Sequence, residues 1–290
     1  MQFRSGLSAL LMLLAVPALA QTLAVEAVVS PAWVERGSAR IPLAAGMPLR
    51  DKDRIITGAG SRALLRVAEG SAVKLGENAA LAVDDLTDKQ ESDAKRLITA
   101  SLDVARGAFR FTSEIFGKRR ANRDMRIKVA TITAGIRGTD VWGKSEAERD
   151  VLCLIEGRVA VEHGGQQFTM SDPLSFFIAP RRDKPLPVAP VNPKQLQQWA
   201  AETEIQSGSG SARRGGRYYV DASVSTDQNT ALAAYDRLRA AGFPAAVRAA
   251  KTGDQVEYRV RISNLSTPQD AAATAEKLKA LGLAGAGVSK

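Results

Sequence analysis

Cys153 and His163 are the only cysteine and the only histidine in the chain, so thiol, imidazole and most metal chemistry rests on two residues. A structural zinc site takes four such ligands, and a cysteine nucleophile needs a histidine beside it. Cys153 lies in Val151-Leu152-Cys153-Leu154-Ile155, an apolar run that reads as a buried strand, where a thiol packs as a small hydrophobe. His163 stands in Glu162-His163-Gly164-Gly165, which reads as a turn between two alternating strands, with no serine in a nucleophile setting for it to activate. Asp84, Asp85 and Asp88 hold part of a calcium-loop pattern without its fixed spacing or closing glutamate, and read as an acidic surface loop. Gly58-Ala59-Gly60 is too short to cradle a phosphate. The expectation is a protein that is not an enzyme, with no catalytic residue, metal site or cofactor.

Charge is the remaining chemistry. Forty Lys and Arg against 31 Asp and Glu give +9 among 290 residues, which favours anionic polymers or envelope surfaces as partners. Two basic clusters stand out. Lys118-Arg119-Arg120, with Arg123, Arg126 and Lys128, reads equally as an anion contact and as a solvated loop or strand edge. Arg213-Arg214-Gly215-Gly216-Arg217 closes a Gly/Ser stretch and reads foremost as a solvated tether.

The compartment is written at the start. Arg4, the apolar run Leu7 to Val16 and the small-x-small site Ala18-Leu19-Ala20 form a cleavable signal peptide over residues 1–20. Its removal takes one charge, Arg4, leaving +8. The run is shorter than the roughly 20 residues a membrane helix needs. An exported periplasmic protein with no integral membrane span is expected.

Three regions follow. Residues 21–180 carry short β-rich runs separated by glycine turns. Two hairpins are expected there: Ala63 to Ala68 turning at Glu69-Gly70 into Ser71 to Leu75, and Val151 to Ile155 turning at Glu156-Gly157 into Arg158 to Glu162. The fold class is an all-β, mostly antiparallel domain, a sandwich or a roll. Residues 181–216 form a Pro/Gly/Ser/Arg linker with a short helical pattern at Leu196, Trp199 and Ala200, and Ser207-Gly208-Ser209-Gly210-Ser211 reads as a flexible tether.

Residues 217–290 contain an internal duplication. A shift of forty positions superposes Tyr218 on Tyr258, Val220 on Val260, Ala231 on Ala271, Leu238 on Leu278 and Gly242 on Gly282. Each half runs from alternation to a helical stripe to a glycine stop. Ala231, Ala234, Tyr235 and Leu238 form the first stripe; Ala271, Ala275 and Leu278 form the second, after an N-cap signature of Thr267, Pro268 and Asp270. With Ala245 to Ala250 and Ala284 to Ser289 as the other strands, the order is β-α-β-β-α-β, an α+β split βαβ fold whose four-stranded antiparallel sheet carries two helices on one side. Tyr218, Val220, Ala222 and Val224 are expected to face the helices. Strand period two then assigns Tyr219, Asp221 and Ser223, with Glu257, Arg259, Arg261 and Ser263, to the open face. That surface is polar and suits a glycan; the aromatic motifs of RNA readers are missing, and export removes nucleic acid as a partner.

The repeated pattern Tyr218-Tyr219-Val220-Asp221-Ala222-Ser223 and Tyr258-Arg259-Val260-Arg261-Ile262-Ser263 resembles the SPOR domain. That resemblance implies binding to peptidoglycan, specifically glycan strands stripped of stem peptides, at the septum during cell division. Arg259 matches the family's third-strand arginine. The family usually has Gln in place of Asp221, Gly in place of Ser223 and Ser263, and often an aromatic in place of Glu257. The glycan-binding set implied is Tyr219, Asp221, Ser223, Glu257, Arg259 and Arg261, and its two carboxylates are expected to accept sugar hydroxyls while repelling a lactyl carboxylate.

The first region resembles the periplasmic FecR domain. The matching residues are Asp53-Arg54-Ile55-Ile56-Thr57-Gly58, Glu69 to Leu75, Gly107-Ala108-Phe109-Arg110-Phe111, Ala134-Gly135-Ile136-Arg137-Gly138-Thr139 and Glu156-Gly157. Iron-uptake regulators of that family carry a sigma-factor-binding segment and a membrane helix ahead of this domain. Here a signal peptide stands in that place, so the implied role is contact with an unidentified envelope protein. Two readings follow: a glycan-binding envelope protein that presents a β domain to a protein partner, or an envelope signalling adaptor acting through protein contact alone.

Overall fold

A computed structural model describes residues 22–68, 70–92, 95–113, 122–136, 138–253, 255–283 and 287–289. The expected signal peptide, Glu69, the Lys118-Arg119-Arg120 cluster and Arg137 lie outside the described residues.

The strands up to the first crossing between sheets are β1 (Leu23–Val29), β2 (Ala32–Arg36), β3 (Ala39–Pro42), β4 (Arg54–Thr57), β5 (Arg62–Val67), β6 (Ala72–Leu75), β7 (Ala80–Ser92) and β8 (Lys95–Thr112). After it come β9 (Asn122–Val129), β10 (Ile132–Ile136), β11 (Asp140–Ser145), β12 (Arg149–Glu156), β13 (Val159–His163), β14 (Gln166–Met170), β15 (Ser175–Pro180) and β16 (Ala189–Pro190). Helix α1 (Pro193–Thr203) and β17 (Ser211–Arg213) connect these to β18 (Tyr218–Ser225), α2 (Gln228–Ala240), β19 (Ala245–Thr252), β20 (Gln255–Leu265), α3 (Pro268–Ala280) and β21 (Gly287–Ser289).

The N-terminal strands make two sheets that share β8. One runs β17-β1-β5-β6-β8-β11-β12-β15-β16, the other β3-β2-β4-β7-β8-β9-β10-β13-β14. All pairs are antiparallel except β8–β9. Up to Arg106, β8 pairs with β7; from Gly107 on it pairs with β11. Gly107 makes the change of sheet with φ +85, and a Cβ there would stand 2.5 Å from Ala79 Cα, so only glycine fits. Between the sheets lie Leu65, Leu75, Leu81, Leu102, Phe109, Phe111 and Met125, all nearly or fully buried. The architecture is a two-sheet β structure closed through one shared strand.

The β5–β6 hairpin forms as the sequence indicates. The second expected hairpin does not: β12 pairs with β11 and β15, and β13 with β10 and β14, in the other sheet. Glu156-Gly157 is therefore a corner between sheets. It packs against the opposite corner, where β10 hands over to β11: a Cβ on Gly157 would stand 2.4 Å from the Gly138 carbonyl oxygen and 2.7 Å from Thr139 Cγ2. The two short motifs thus meet where the chain crosses the core in both directions. Asp53, of a further motif, is buried and takes two bonds from Arg36, Nε–Oδ1 at 2.7 Å and Nη2–Oδ2 at 2.6 Å. These motif residues hold corners and turns.

Asp84, Asp85 and Asp88 lie within β7 and not in a loop. Cys153 is a buried strand residue as expected, and burial together with nearby Asp140 pushes its thiol up to about 12. His163 ends β13, with Nδ1 3.0 Å from the Thr131 carbonyl oxygen and its ring edge-on to Phe177.

Helix α1 starts at an Asn192 cap with proline in its first turn. It lies on the outer side of the first sheet, where Trp199 stacks on Trp142 at 4.7 Å and meets Phe176 edge-on. The segment expected to be a flexible tether is pinned instead. Ser211–Arg213 pairs with β1, and Ala212 also pairs with Leu265 of β20, so β17 joins the two halves of the molecule. Buried Asp270 accepts the Gly210 and Ser211 amides at 3.1 and 3.0 Å, and Lys277 Nζ donates to Ser30 O and Ser209 O at 3.1 and 3.0 Å. Gly242, which ends α2, carries a second duty: the Ala32 amide donates to its carbonyl, and a Cβ there would lie 2.6 Å from the Trp33 ring.

Candidate functional site

The C-terminal strands pair in the order β19-β20-β18-β21, all antiparallel, with α2 and α3 on one side. The period-two reading explains this. Val220, Ala222, Val260 and Ile262 are buried and pack with Ala231, Leu238, Ala271 and Leu278 of the helices. Thr267 caps α3 as its sequence indicates, its hydroxyl accepting the Asp270 amide at 3.1 Å. The other side of the sheet carries the candidate site.

On that side Asp221 faces Arg261 across β18–β20. Arg261 forks onto it, Nε to Oδ1 at 2.6 Å and Nη2 to Oδ2 at 2.9 Å, the bidentate form of an arginine–carboxylate pair. The Arg261 guanidinium carbon also lies 3.5 Å from the centroid of the Tyr219 ring. Next along β20, Arg259 bonds Glu257, Nε to Oε1 at 2.6 Å, and reaches Asp221 Oδ2 with Nη1 at 3.5 Å. Both arginines are held above their usual value, Arg259 chiefly by its bond to Glu257 and Arg261 chiefly by its bond to Asp221. Five of the six residues proposed from sequence therefore form one connected cluster.

Ser223 does not join them. A bulge between Asp221 and Ser223 shifts the strand by one, so Ser223 pairs with core-facing Val260 and Val224 with Arg259. Val224, expected in the core, is 46% exposed. A second irregularity sits between Tyr218 and Val220, opposite Asn264, whose φ is +65.

Arg248 was missed. It is exposed on edge strand β19, directly opposite Arg259, and makes no ion pair with a described residue. The alternation of β19 alone places it on the open face, since Ala245 and Val247, in the opposite phase, pack against the core. The face thus presents three arginines to two carboxylates, with both carboxylates already bonded.

Among the described residues no group of His, Cys, Asp and Glu is arranged to hold a metal ion, and no helix is long and apolar enough to cross a membrane.

Two of the solved structures similar to parts of this chain are both described as a "putative anti-sigma factor" from Parabacteroides distasonis. One, at 1.65 Å, is 13% identical over 51% of this chain and 64% of its own, with a TM-score of 0.40. The other, at 2.50 Å, is 11% identical over 70% of this chain and 96% of its own, also with a TM-score of 0.40. The chain spans just under two thirds of the first of these. No curated protein matches the chain. The family model described as FecR protein matches residues 53–160 and the model described as SPOR domain matches residues 215–288, so the chain carries a FecR domain followed by a SPOR domain.

Proposed function

We propose that this is a non-enzymatic periplasmic envelope protein that binds peptidoglycan glycan strands, denuded of stem peptides, through the open face of its SPOR sheet, and offers its FecR domain to a protein partner. Septal placement during cell division follows from that ligand. The carrying observation is the cluster Tyr219, Asp221, Glu257, Arg259 and Arg261 on a sheet face that neither helix covers.

The bonding on this face removes the charge conflict that its carboxylates raised. Asp221 and Glu257 are each bonded to an arginine, so an incoming sugar meets guanidinium N–H groups before it meets a free carboxylate. Arg248 and Arg259 supply donors to acetamido, hydroxyl and lactyl oxygens along a shallow surface. With β17 paired to both β1 and β20, binding by one domain would hold the other in a fixed attitude to the wall. Sedimentation of the chain with purified sacculi tests the reading, with binding rising once an amidase has removed the stem peptides.

A further inference from the structure

A cleft lies at the corner where β8 changes sheet. Its volume is about 500 Å³, and Arg62, Glu77, Arg106, Gly107, Lys144 and Glu202 are among the residues that line it. Two features give it a sign. First, its carboxylates are already engaged: Glu77 accepts the Gly60 amide at 2.6 Å, and Glu202 pairs with Lys144 at 3.1 Å, which in turn holds Glu146 at 2.9 Å. Second, its arginines are not. Arg106 spends Nε on the Asn78 carbonyl at 2.8 Å and Arg62 spends Nη1 on the Ser61 carbonyl at 2.8 Å, and neither makes an ion pair with a described residue. The Nε–H of Arg62 is buried and finds no acceptor among the described residues.

Because that Nε is sealed from solvent, the cleft is offered the terminal nitrogens of Arg62 and Arg106. Two guanidinium groups lining one small cleft, with every neighbouring carboxylate committed elsewhere, fit the oxygens of a carboxylate, which arginine takes in a fork. The volume is that of a small-ligand pocket. Gly107 is among the lining residues, and its positive φ and closeness to Ala79 exclude a side chain there.

We propose that this cleft is a carboxylate-binding site of the FecR domain, taking an acidic side chain or a free C-terminus of a peptide, with Arg62 and Arg106 as its donors. The site is separate from the SPOR face and stands or falls independently of glycan binding.

The test follows the Arg Nε–H signals of the isotopically labelled full chain by NMR as three peptides are added: acetyl-Ala-Glu-Ala-amide, acetyl-Ala-Ala-Ala with a free C-terminus, and acetyl-Ala-Gln-Ala-amide. Inorganic phosphate is the fourth probe. Saturable movement of the Arg62 and Arg106 signals with either carboxylate peptide, and none with the glutamine peptide, is the expected result; which of the two saturates first assigns the source. Arg106→Gln, at an exposed position, should weaken that binding about tenfold, the loss of one charged hydrogen bond, while Arg158→Gln, exposed beside the Glu156-Gly157 corner and not among the lining residues, should leave it unchanged. Thermal melting checks that each variant is folded, and Arg106→Gln carries the test if Arg62→Gln does not fold. Equal response to the glutamine peptide, preference for phosphate, failure of every probe to saturate, or full binding by folded Arg106→Gln would each overturn the proposal.

Discussion

Arg261 is held between two partners, its guanidinium carbon 3.5 Å from the Tyr219 ring centroid and two of its nitrogens on Asp221. The Asp221 side chain is only 10% exposed, so removing Arg261 would leave a nearly buried charge with only the longer contact to Arg259, at 3.5 Å. Arg261→Met should cost about 3 kcal/mol in urea unfolding, and Asp221→Asn should cost less because it removes the charge that needs a partner. A loss under about 0.5 kcal/mol for Arg261→Met, the level of a neutral surface change, would mean the pair does not hold the face together.

Arg248 and Arg259 make the complementary case. Both are exposed enough that Arg248→Ala should leave stability within about 0.5 kcal/mol of the parent while weakening sacculus binding, and Arg259→Ala should weaken binding as well. An unchanged isotherm for either would remove that residue from the site.

Gly157 carries the corner between sheets. At φ +90, with the Gly138 carbonyl 2.4 Å from any Cβ, Gly157→Ala should cost more than about 2 kcal/mol, since a left-handed residue alone costs 1–2. Gly164→Ala has φ +57 and open space around it and should cost only about 1 kcal/mol. Equal losses would contradict the corner's tight packing.

Lys277 joins the halves and makes the junction sensitive to alkali. Burial holds its pKa below the ordinary 10.5, partly offset by Asp270. Between the lowered value and 10.5 the unfolded chain binds more protons than the folded one, so this residue's contribution to stability rises with pH there. A neutral amine keeps two N–H groups, enough for Ser30 O and Ser209 O. Thermal melts across that window should show an increment in the parent that Lys277→Met lacks. Cys153, buried with its thiol raised to about 12, titrates the opposite way in both proteins, and the difference between them cancels it; parallel curves would deny Lys277 this role.

The C-terminal domain was legible because its duplication fixed two strands and two helices in one register, and alternation then named the open face. Ser223 and Val224 escaped, since a bulge changes the strand's phase without changing its residue types. The Glu156-Gly157 turn looked like a hairpin because glycine after a polar residue between alternating runs serves a sheet corner equally well; which edge each strand joins is decided by residues far along the chain. Composition misled at Ser207 to Ser211 for the same reason. Its glycines adopt positive φ, +77 at Gly208 and +90 at Gly210, and the carboxylate that pins the Gly210 and Ser211 amides comes from Asp270, 60 positions away from Gly210.

The central claim is tested most directly by co-sedimentation of the chain without residues 1–20 with sacculi, intact and after amidase removal of stem peptides. The account predicts binding that increases on peptide removal and falls with Arg259→Ala. Absence of binding to both preparations at low salt would contradict it and leave the FecR domain's protein contacts as the function to pursue.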